Sequence, residues 1–225
     1  MRSSWEETKA KSNYHFDNFK NDPQVDKVTH MGRFLAEDRF KSELDEIIKN
    51  AKPATWETRG YKGEGNIQPR EDLVAEEYDL ESQGYGKDYV ITHMNWQISP
   101  RLKEISNLFG LADCMERIHV QMPGEVWNLH IDKLNKWAPQ EPWNIMRIFI
   151  QLSDWEPGHF WSFGNHNLAQ WRAGDIYTFD WQNIPHCTAN AGHNPRVTFQ
   201  ITGVRTEVTD DFLKRLDRFK KHTLS

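Results

Sequence analysis

The sequence predicts a mainly β protein, an antiparallel sandwich or barrel with helices flanking it. The first observation is a succession of short segments between residues 117 and 206 in which apolar and polar side chains alternate, the period of a half-buried strand. The second is that turn residues, and no helical pattern, separate these segments. The third is the length of 225 residues, which is enough for one domain with its own hydrophobic core.

The composition indicates a folded protein and argues against several partners. The chain has 10 Trp, 12 Phe and 6 Tyr, too many aromatic residues for a disordered segment. Lys and Arg number 28 against 33 Asp and Glu, a net charge of −5, so we expect no dedicated nucleic-acid surface. No apolar run approaches the roughly 18 residues of a membrane span. The two cysteines and the polar N-terminus, which lacks the apolar core of a signal peptide, suit a cytoplasmic protein.

The first 86 residues are predicted to precede the main β region as a helical segment and a loop. Residues 1–54 are charged, and between 36 and 52 apolar side chains recur at helical spacing until Pro53 ends the pattern. Residues 55–86 begin with a short aromatic segment and continue as a polar, Gly-containing stretch. We interpret this stretch as a long loop that could act as a flap.

Strand and helix patterns alternate after residue 87. Residues 88–96 are predicted to form a strand, and 99–110 a helix with Ser99 as N-cap, Pro100 in its first turn and Gly110 at its end. Seven strand-like segments follow, at 117–122, 125–132, 144–152, 159–164, 175–181, 186–191 and 196–204. A helix at 209–222, capped by Thr209, ends the chain. The single domain would therefore comprise the parts 1–54, 55–116, 117–206 and 207–225.

The segment from 122 to 132 carries the most informative side chains. Side chains two residues apart in a strand share a face. Trp127, Leu129 and Ile131 would therefore lie on one face, and Asn128, His130 and Asp132 on the other. The polar face would present an imidazole beside a carboxylate. This pattern alone is not specific, because His15 and Asp17 repeat it in a charged terminal segment.

Residues further along the chain suggest what this pair could bind. His186 opens a later strand after a Gly-Asp turn at 174–175, and Arg196 follows ten residues after it. Arg196 and Arg147 each alternate with apolar side chains, so both are predicted to point into the barrel, where a buried guanidinium requires an anion. Two His and one carboxylate form the facial triad of non-haem Fe(II) oxygenases, and guanidinium groups bind carboxylates in bidentate fashion.

In combination, these motifs resemble the double-stranded β-helix of Fe(II)/2-oxoglutarate-dependent oxygenases, a jelly-roll, cupin-like core. More narrowly, PGEVWNLHID, MRIFIQL, AGDIYTFDWQNIPH and RVTFQITGV resemble the aspartyl/asparaginyl β-hydroxylase-like branch, which includes free-proline hydroxylases. The resemblance covers about residues 117–206. It implies hydroxylation of an amino-acid side chain (Asp, Asn or Pro-like) in a peptide, a protein or the free amino acid. 2-Oxoglutarate and O2 would be consumed, with release of succinate and CO2.

The resemblance also implies roles for individual residues. The iron ligands would be His130, Asp132 and His186. Arg196 would pair with the distal carboxylate of 2-oxoglutarate, and Arg147 would lie near the carboxylate next to the keto group. His119 stands where some relatives use Ser to help hold the cosubstrate. Some animal members have Gly at the position of Asp132, whereas this chain keeps the carboxylate.

Other interpretations of the same residues remain open. A cupin-like protein could hold a metal or a small carboxylate without redox chemistry, although simple metal binding needs neither arginine. A nucleic-acid binder could use exposed aromatic residues as stacking platforms, against which the net charge argues. His193 could replace His186 as ligand, but its neighbours indicate a turn. His159, His166, Trp56 and Arg59 are further candidates for the substrate pocket.

Overall fold

The fold is known from a computed structural model that describes residues 28–35, 38, 40–55, 88–132, 142–181 and 184–223, with side chains to 215. The strands within these ranges are β1 Val28–Arg33, β2 Lys52–Ala54, β3 Thr92–Asn95, β4 Ala112–Gln121, β5 Val126–His130, β6 Ile145–Gln151, β7 His159–Phe163, β8 His166–Leu168, β9 Asp175–Phe179, β10 His186–Asn190 and β11 Arg196–Val204. The helices are α1 Lys41–Asn50, α2 Pro100–Asn107 and α3 Glu207–Thr223, with a 3-10 turn at Pro142–Asn144.

The strands form two antiparallel sheets. The major sheet has the order β1-β9-β6-β11-β4-β3-β2, and the minor sheet has the order β5-β10-β7-β8. Every strand pair is antiparallel. A cavity lies between the sheets and is lined by side chains from both. The predicted fold class, mainly β with flanking helices and a double-stranded β-helix core, is confirmed.

Apolar side chains on one face of the major sheet pack against the helices. The alternation in β11 places Val197, Phe199 and Ile201 in this core, where they are fully buried. Leu102 of α2 and Phe212 of α3 contact the same cluster. Because successive strand residues face opposite sides, the polar residues between them line the inner cavity. A second cluster of mostly aromatic side chains lies between the two sheets.

The two predicted helix starts differ in outcome. Ser99 caps α2 by accepting a hydrogen bond from Leu102 N–H at 3.2 Å, as predicted. For α3 the predicted cap is wrong, because the helix begins at Glu207, before Thr209. Thr206 and Thr209 form a reciprocal pair, in which each hydroxyl accepts from the other residue's N–H at 3.4 and 3.1 Å. Both hydroxyls also donate to the Gly110 carbonyl, at 2.6 and 3.0 Å.

The N-terminal region is not uniformly helical. α1 begins at Lys41, after Phe40 in a left-handed conformation, whereas the periodicity predicted a start near residue 36. Residues 28–33, predicted as part of a helical segment, form the edge strand β1 instead. The cause is a long-range contact. Arg33 and His30 bind the Asp175 carboxylate at 2.6 and 3.1 Å, and both residues lie on the strand that pairs with β9.

Several expectations fall partly or wholly outside the described ranges. They are the helical segment before residue 28, the flap predicted at 55–86 except for residue 55, and the pocket candidates Trp56 and Arg59. The short strands β2 and β8 were not predicted, and β4 begins at Ala112 rather than at 117. Among the described helices, none combines the length and the apolar composition that crossing a bilayer requires.

Candidate metal centre

Three potential metal ligands meet at one end of the minor sheet. His130 is the last residue of β5, Asp132 follows two residues later, and His186 opens β10 directly opposite His130. The Asp132 carboxylate oxygens lie 3.9 Å from His130 Nε2 and 3.6 Å from His186 Nε2. Within the described part of the chain, this is the one group of His, Cys, Asp and Glu whose ligand atoms, all within 4.8 Å of one another, could hold a metal ion.

An extra residue in β5 sets the direction of its side chains. His130 pairs with His186 and Trp127 pairs with Thr188. Between these two pairs, β5 has two residues where β10 has one. This bulge puts Trp127 and His130 on the same face, where their rings stack at 5.6 Å. The prediction that Trp127 faces away from His130 is therefore wrong. Leu129 lies outside, with 42% of its surface exposed.

The two imidazoles are oriented by backbone carbonyls. His130 Nδ1 donates to the Asn128 carbonyl at 2.6 Å, and His186 Nδ1 donates to the Ile184 carbonyl at 3.1 Å. This pattern leaves each Nε2 unprotonated and directed at Asp132, as a metal ligand requires. Burial lowers the pKa of His186, although the Asp132 charge opposes the shift. The neutral ligand form of His186 is therefore favoured.

Asp132 is held as a carboxylate. Burial opposes its ionisation, but the charge of Arg147 holds the pKa of Asp132 well below its usual range. Arg147 Nη1 donates to Asp132 Oδ2, and Arg147 Nε donates to Thr202 Oγ1 at 3.1 Å. The Asp132 N–H donates to the Trp181 carbonyl at 3.2 Å. The set thus offers two imidazole nitrogens and one carboxylate, donors that suit iron among other divalent metals.

Arg196 lines the same cavity. It is the first residue of β11, on the opposite sheet, and only 4% of it is exposed. Its guanidinium lies over the Trp161 ring at 4.8 Å, and its Nε and Nη1 have no hydrogen-bond partner among the described residues. Burial lowers its pKa to about 9, so it remains a cation at neutral pH. A buried cation with unpartnered donors is costly unless an anion binds to it.

His119 belongs to a hydrogen-bonded group on the major sheet. Its Nε2 accepts from the Gln200 side-chain amide at 3.0 Å in the amide orientation that satisfies both neighbours, and Gln200 Oε1 then accepts from Arg117 Nε and Nη2 at 3.1 and 3.0 Å. Burial, and next the charge of Arg117, hold the pKa of His119 well below its usual value. His119 is therefore a neutral acceptor.

The predicted site residues all line one cavity. They are His130, Asp132, His186, Arg147, Arg196 and His119. Sequence reasoning missed Arg117, although it alternates with His119 on the polar face of β4. Arg117, Arg147 and Arg196 face a single carboxylate, Asp132, among the described lining residues. The cavity is therefore strongly positive.

The other histidine candidates lie elsewhere. His159 is buried, stacks on Trp171 and has both ring nitrogens bonded, to Glu156 N–H at 3.3 Å and to the Asn194 carbonyl at 3.1 Å. His166 is exposed on β8, and His193 is exposed in the turn between β10 and β11. His193 therefore stands apart from the group formed by His130, Asp132 and His186.

Comparisons with known proteins give structural matches of low sequence identity. No family model matches the chain, and no curated protein matches it in sequence. Among solved structures, a prolyl-4-hydroxylase from Pseudomonas putida is 16% identical, with a TM-score of 0.44, and the match covers 80% of this chain and 93% of the hydroxylase. A Cupin 2 conserved barrel protein from Salinispora arenicola is 13% identical (TM-score 0.32; 55% and 84% covered). A predicted oxalate decarboxylase from Thermotoga maritima is 14% identical (TM-score 0.33; 50% and 80% covered).

Proposed function

We propose that this protein is an Fe(II)- and 2-oxoglutarate-dependent dioxygenase. Its reaction would hydroxylate an amino-acid side chain, Asp, Asn or Pro-like, in a peptide, a protein or the free amino acid. The observation that carries the proposal is the presence, in one cavity, of a His-Asp-His group and of a buried arginine with two nitrogens that find no partner within the described ranges.

The donor set supports iron at the three ligands His130, Asp132 and His186. Both imidazoles have Nδ1 committed to a carbonyl, which leaves Nε2 available, and the carboxylate is ionised. Two His and one carboxylate leave open positions on a metal ion, which a keto acid and O2 require. When bound, Fe(II) supplies the O2 chemistry that couples the decarboxylation of 2-oxoglutarate to succinate and CO2 with substrate hydroxylation.

The remaining lining residues support a dicarboxylate cosubstrate. Arg196 would bind the distal carboxylate, because its buried Nε and Nη1 donors have no acceptor among the described residues. Arg147 would lie near the carboxylate next to the keto group, beside Asp132. His119, a neutral side chain on the same wall, would stand near the cosubstrate. Trp127, Phe149 and Trp161 form aromatic walls of this space.

An anaerobic titration of the apoprotein tests the proposal. Fe(II) followed by 2-oxoglutarate should produce a visible charge-transfer band that neither produces alone. Arg196→Ala should abolish the band at cosubstrate concentrations that saturate the wild type. Arg205→Ala, which removes an exposed arginine paired with Asp210, should retain it.

A second measurement separates the proposal from its rival. A cupin-like protein that binds a metal or carboxylate without redox chemistry would form no succinate from 2-oxoglutarate in the presence of O2. Succinate formation that disappears in Asp132→Ala and His186→Ala supports the dioxygenase. Folded wild-type protein that gives neither band nor succinate would overturn it.

A further inference from the structure

We propose that Arg147 is a positioning residue that holds Asp132 as a one-oxygen metal ligand, with Thr202 fixing Arg147 in turn. The inference rests on the proposed function only in that a divalent metal occupies the group of His130, Asp132 and His186. The resemblance implies a place for Arg147 beside the cosubstrate. Its contacts in this protein are instead with the carboxylate of a metal ligand.

The contacts of Arg147 fix its guanidinium at both ends. Nη1 donates to Asp132 Oδ2, and Nε donates to Thr202 Oγ1 at 3.1 Å on the neighbouring strand β11. The Arg147 carbonyl accepts from Thr178 Oγ1 at 2.8 Å, which ties its backbone to β9. Arg147 is 4% exposed, so the interaction with Asp132 is shielded from solvent. An exposed ion pair would contribute much less.

Asp132 needs such a partner because it lies beyond the last ladder residue of its strand. β5 ends at His130, and the backbone bond from Asp132 N–H to the Trp181 carbonyl fixes the main chain but not the carboxylate. Without Arg147 the side chain could turn and offer both oxygens. A carboxylate that binds a metal through both oxygens uses a position that a chelating keto acid or O2 would need. Arg147 donates to Oδ2, which lies 3.6 Å from His186 Nε2, and not to Oδ1, which lies 3.9 Å from His130 Nε2. The Arg147 bond thus distinguishes the two oxygens, and Oδ1 is the oxygen left to the metal.

The charge of Arg147 and its role in orienting Asp132 predict opposite effects on metal affinity when Arg147 is removed. A cation beside a divalent metal repels it, so electrostatics alone predict tighter metal binding in a neutral variant. Loss of the partner that orients a ligand typically weakens metal binding about 10- to 100-fold. The direction of the change in metal affinity therefore distinguishes an arginine that orients Asp132 from one that merely lies near the metal.

The experiment is an anaerobic titration of apoprotein with Co(II) alone, followed by its visible d–d spectrum. Arg147→Gln is expected to weaken Co(II) binding at least about tenfold. It should also alter the band shape, because Asp132 is free to bind differently. Thr202→Val, which removes the acceptor of Arg147 Nε, should change affinity in the same direction by a smaller factor, and Thr202→Ser should restore it.

Arg117→Gln is the matched control. It removes a second buried arginine from the same cavity, one whose Nε and Nη2 donate to the Gln200 side chain. Co(II) affinity in this variant should be unchanged or higher. If Arg147→Gln fails to fold by far-UV circular dichroism, Thr202→Val carries the test.

Two outcomes would overturn the inference. One is Co(II) binding in both Arg147→Gln and Thr202→Val that equals or exceeds that of the wild type, with only 2-oxoglutarate affinity reduced. The other is equal weakening in Arg117→Gln. Because cobalt alone is the probe, failure of the 2-oxoglutarate assay would overturn the proposed function and leave this inference standing. Wild-type protein that binds no cobalt would overturn both.

Discussion

Burial has different effects on the charges of two neighbouring side chains, Arg196 and His159. Arg196 keeps its charge and has two donors that no atom in the described part of the chain accepts, an energetic cost expected where a ligand binds. His159 loses its charge instead. Burial, aided by the positive charge of Arg196, holds the pKa of His159 below its usual value, although the hydrogen bond to the Asn194 carbonyl opposes the shift.

The neutral state of His159 predicts a pH dependence of stability. Because the pKa of His159 is lower in the folded than in the unfolded protein, the unfolded chain binds more protons as the pH falls below about 6.5. The free energy of unfolding should therefore decrease between pH 7.5 and 5.5. Urea unfolding of His159→Asn at both pH values should show a smaller decrease than the wild type, even if the variant is less stable at pH 7.5.

The exposed His166 provides the control for this prediction. His166→Asn should lose as much stability on acidification as the wild type, because its side chain lies on the surface in β8. Equal losses in all three proteins would show that His159 does not contribute to the acid sensitivity of the fold.

At the level of elements, Gly174 connects the edge strand β1 to the sheet. Its φ is +92°, its N–H donates to the Gln151 carbonyl at 2.7 Å and its carbonyl accepts from Phe34 N–H at 2.9 Å. A Cβ at this position would collide with the Phe34 carbonyl. Gly174→Ala should therefore lower the free energy of unfolding in two ways. It would strain a left-handed backbone conformation, and it would displace the chain after β1.

Gly124→Ala is the control that measures the cost of backbone strain without the steric clash. Its φ is +90°, but an added Cβ would meet no atom within 4 Å. Gly124→Ala should cost about 1–2 kcal/mol of unfolding free energy, the penalty of a left-handed conformation. Gly174→Ala should cost clearly more in the same urea titration. Similar losses in the two variants would contradict a steric role for the Phe34 carbonyl.

The accuracy of sequence interpretation differed between elements for physical reasons. β4, β6 and β11 have one face against apolar core and the other toward the cavity, so their alternation predicted both strand and orientation. The bulge in β5 becomes visible only against its partner β10, and no local pattern marks the extra residue. β1 buries only Met31 within the strand, and its pairing depends on Asp175, far along the chain.

In the candidate site, too, local patterns could be predicted and contacts between strands could not. His186 and Arg196 could be placed in one cavity because each opens a strand, and His130 ends one with Asp132 two residues further on. The contact of Arg147 with Asp132 and the link between Arg117 and Gln200 could not be predicted. They depend on side-chain positions across neighbouring strands, which the spacing of one segment does not determine.

At the level of the whole molecule, the site joins the two sheets. His130 and His186 belong to the minor sheet, whereas Arg147 and Arg196 belong to the major sheet. A metal and a dicarboxylate bound together would therefore connect both sheets. Ligands that bind the folded state alone stabilise it by about 2.7 kcal/mol at a hundred times their dissociation constant.

This connection predicts a shift in thermal unfolding. For a protein of this size, 1 kcal/mol raises Tm by about 2–4 °C, so Mn(II) with 2-oxoglutarate near that saturation should raise Tm by about 5–10 °C. Differential scanning calorimetry measures the shift, and His186→Ala should show little of it. A shift of the same size in His186→Ala would place the ligands somewhere other than between the sheets.

The location of the ligands and of Arg196 on opposite sheets has a consequence for selectivity. Facing sheets stand about 10 Å apart, and the strand ladders on either side keep that spacing from adapting to the guest. A diacid that is to touch both walls must have a carbon chain of matching length. The spacing of the two sheets, which is set by residues remote from the metal ligands, would therefore select among homologous oxo acids by chain length.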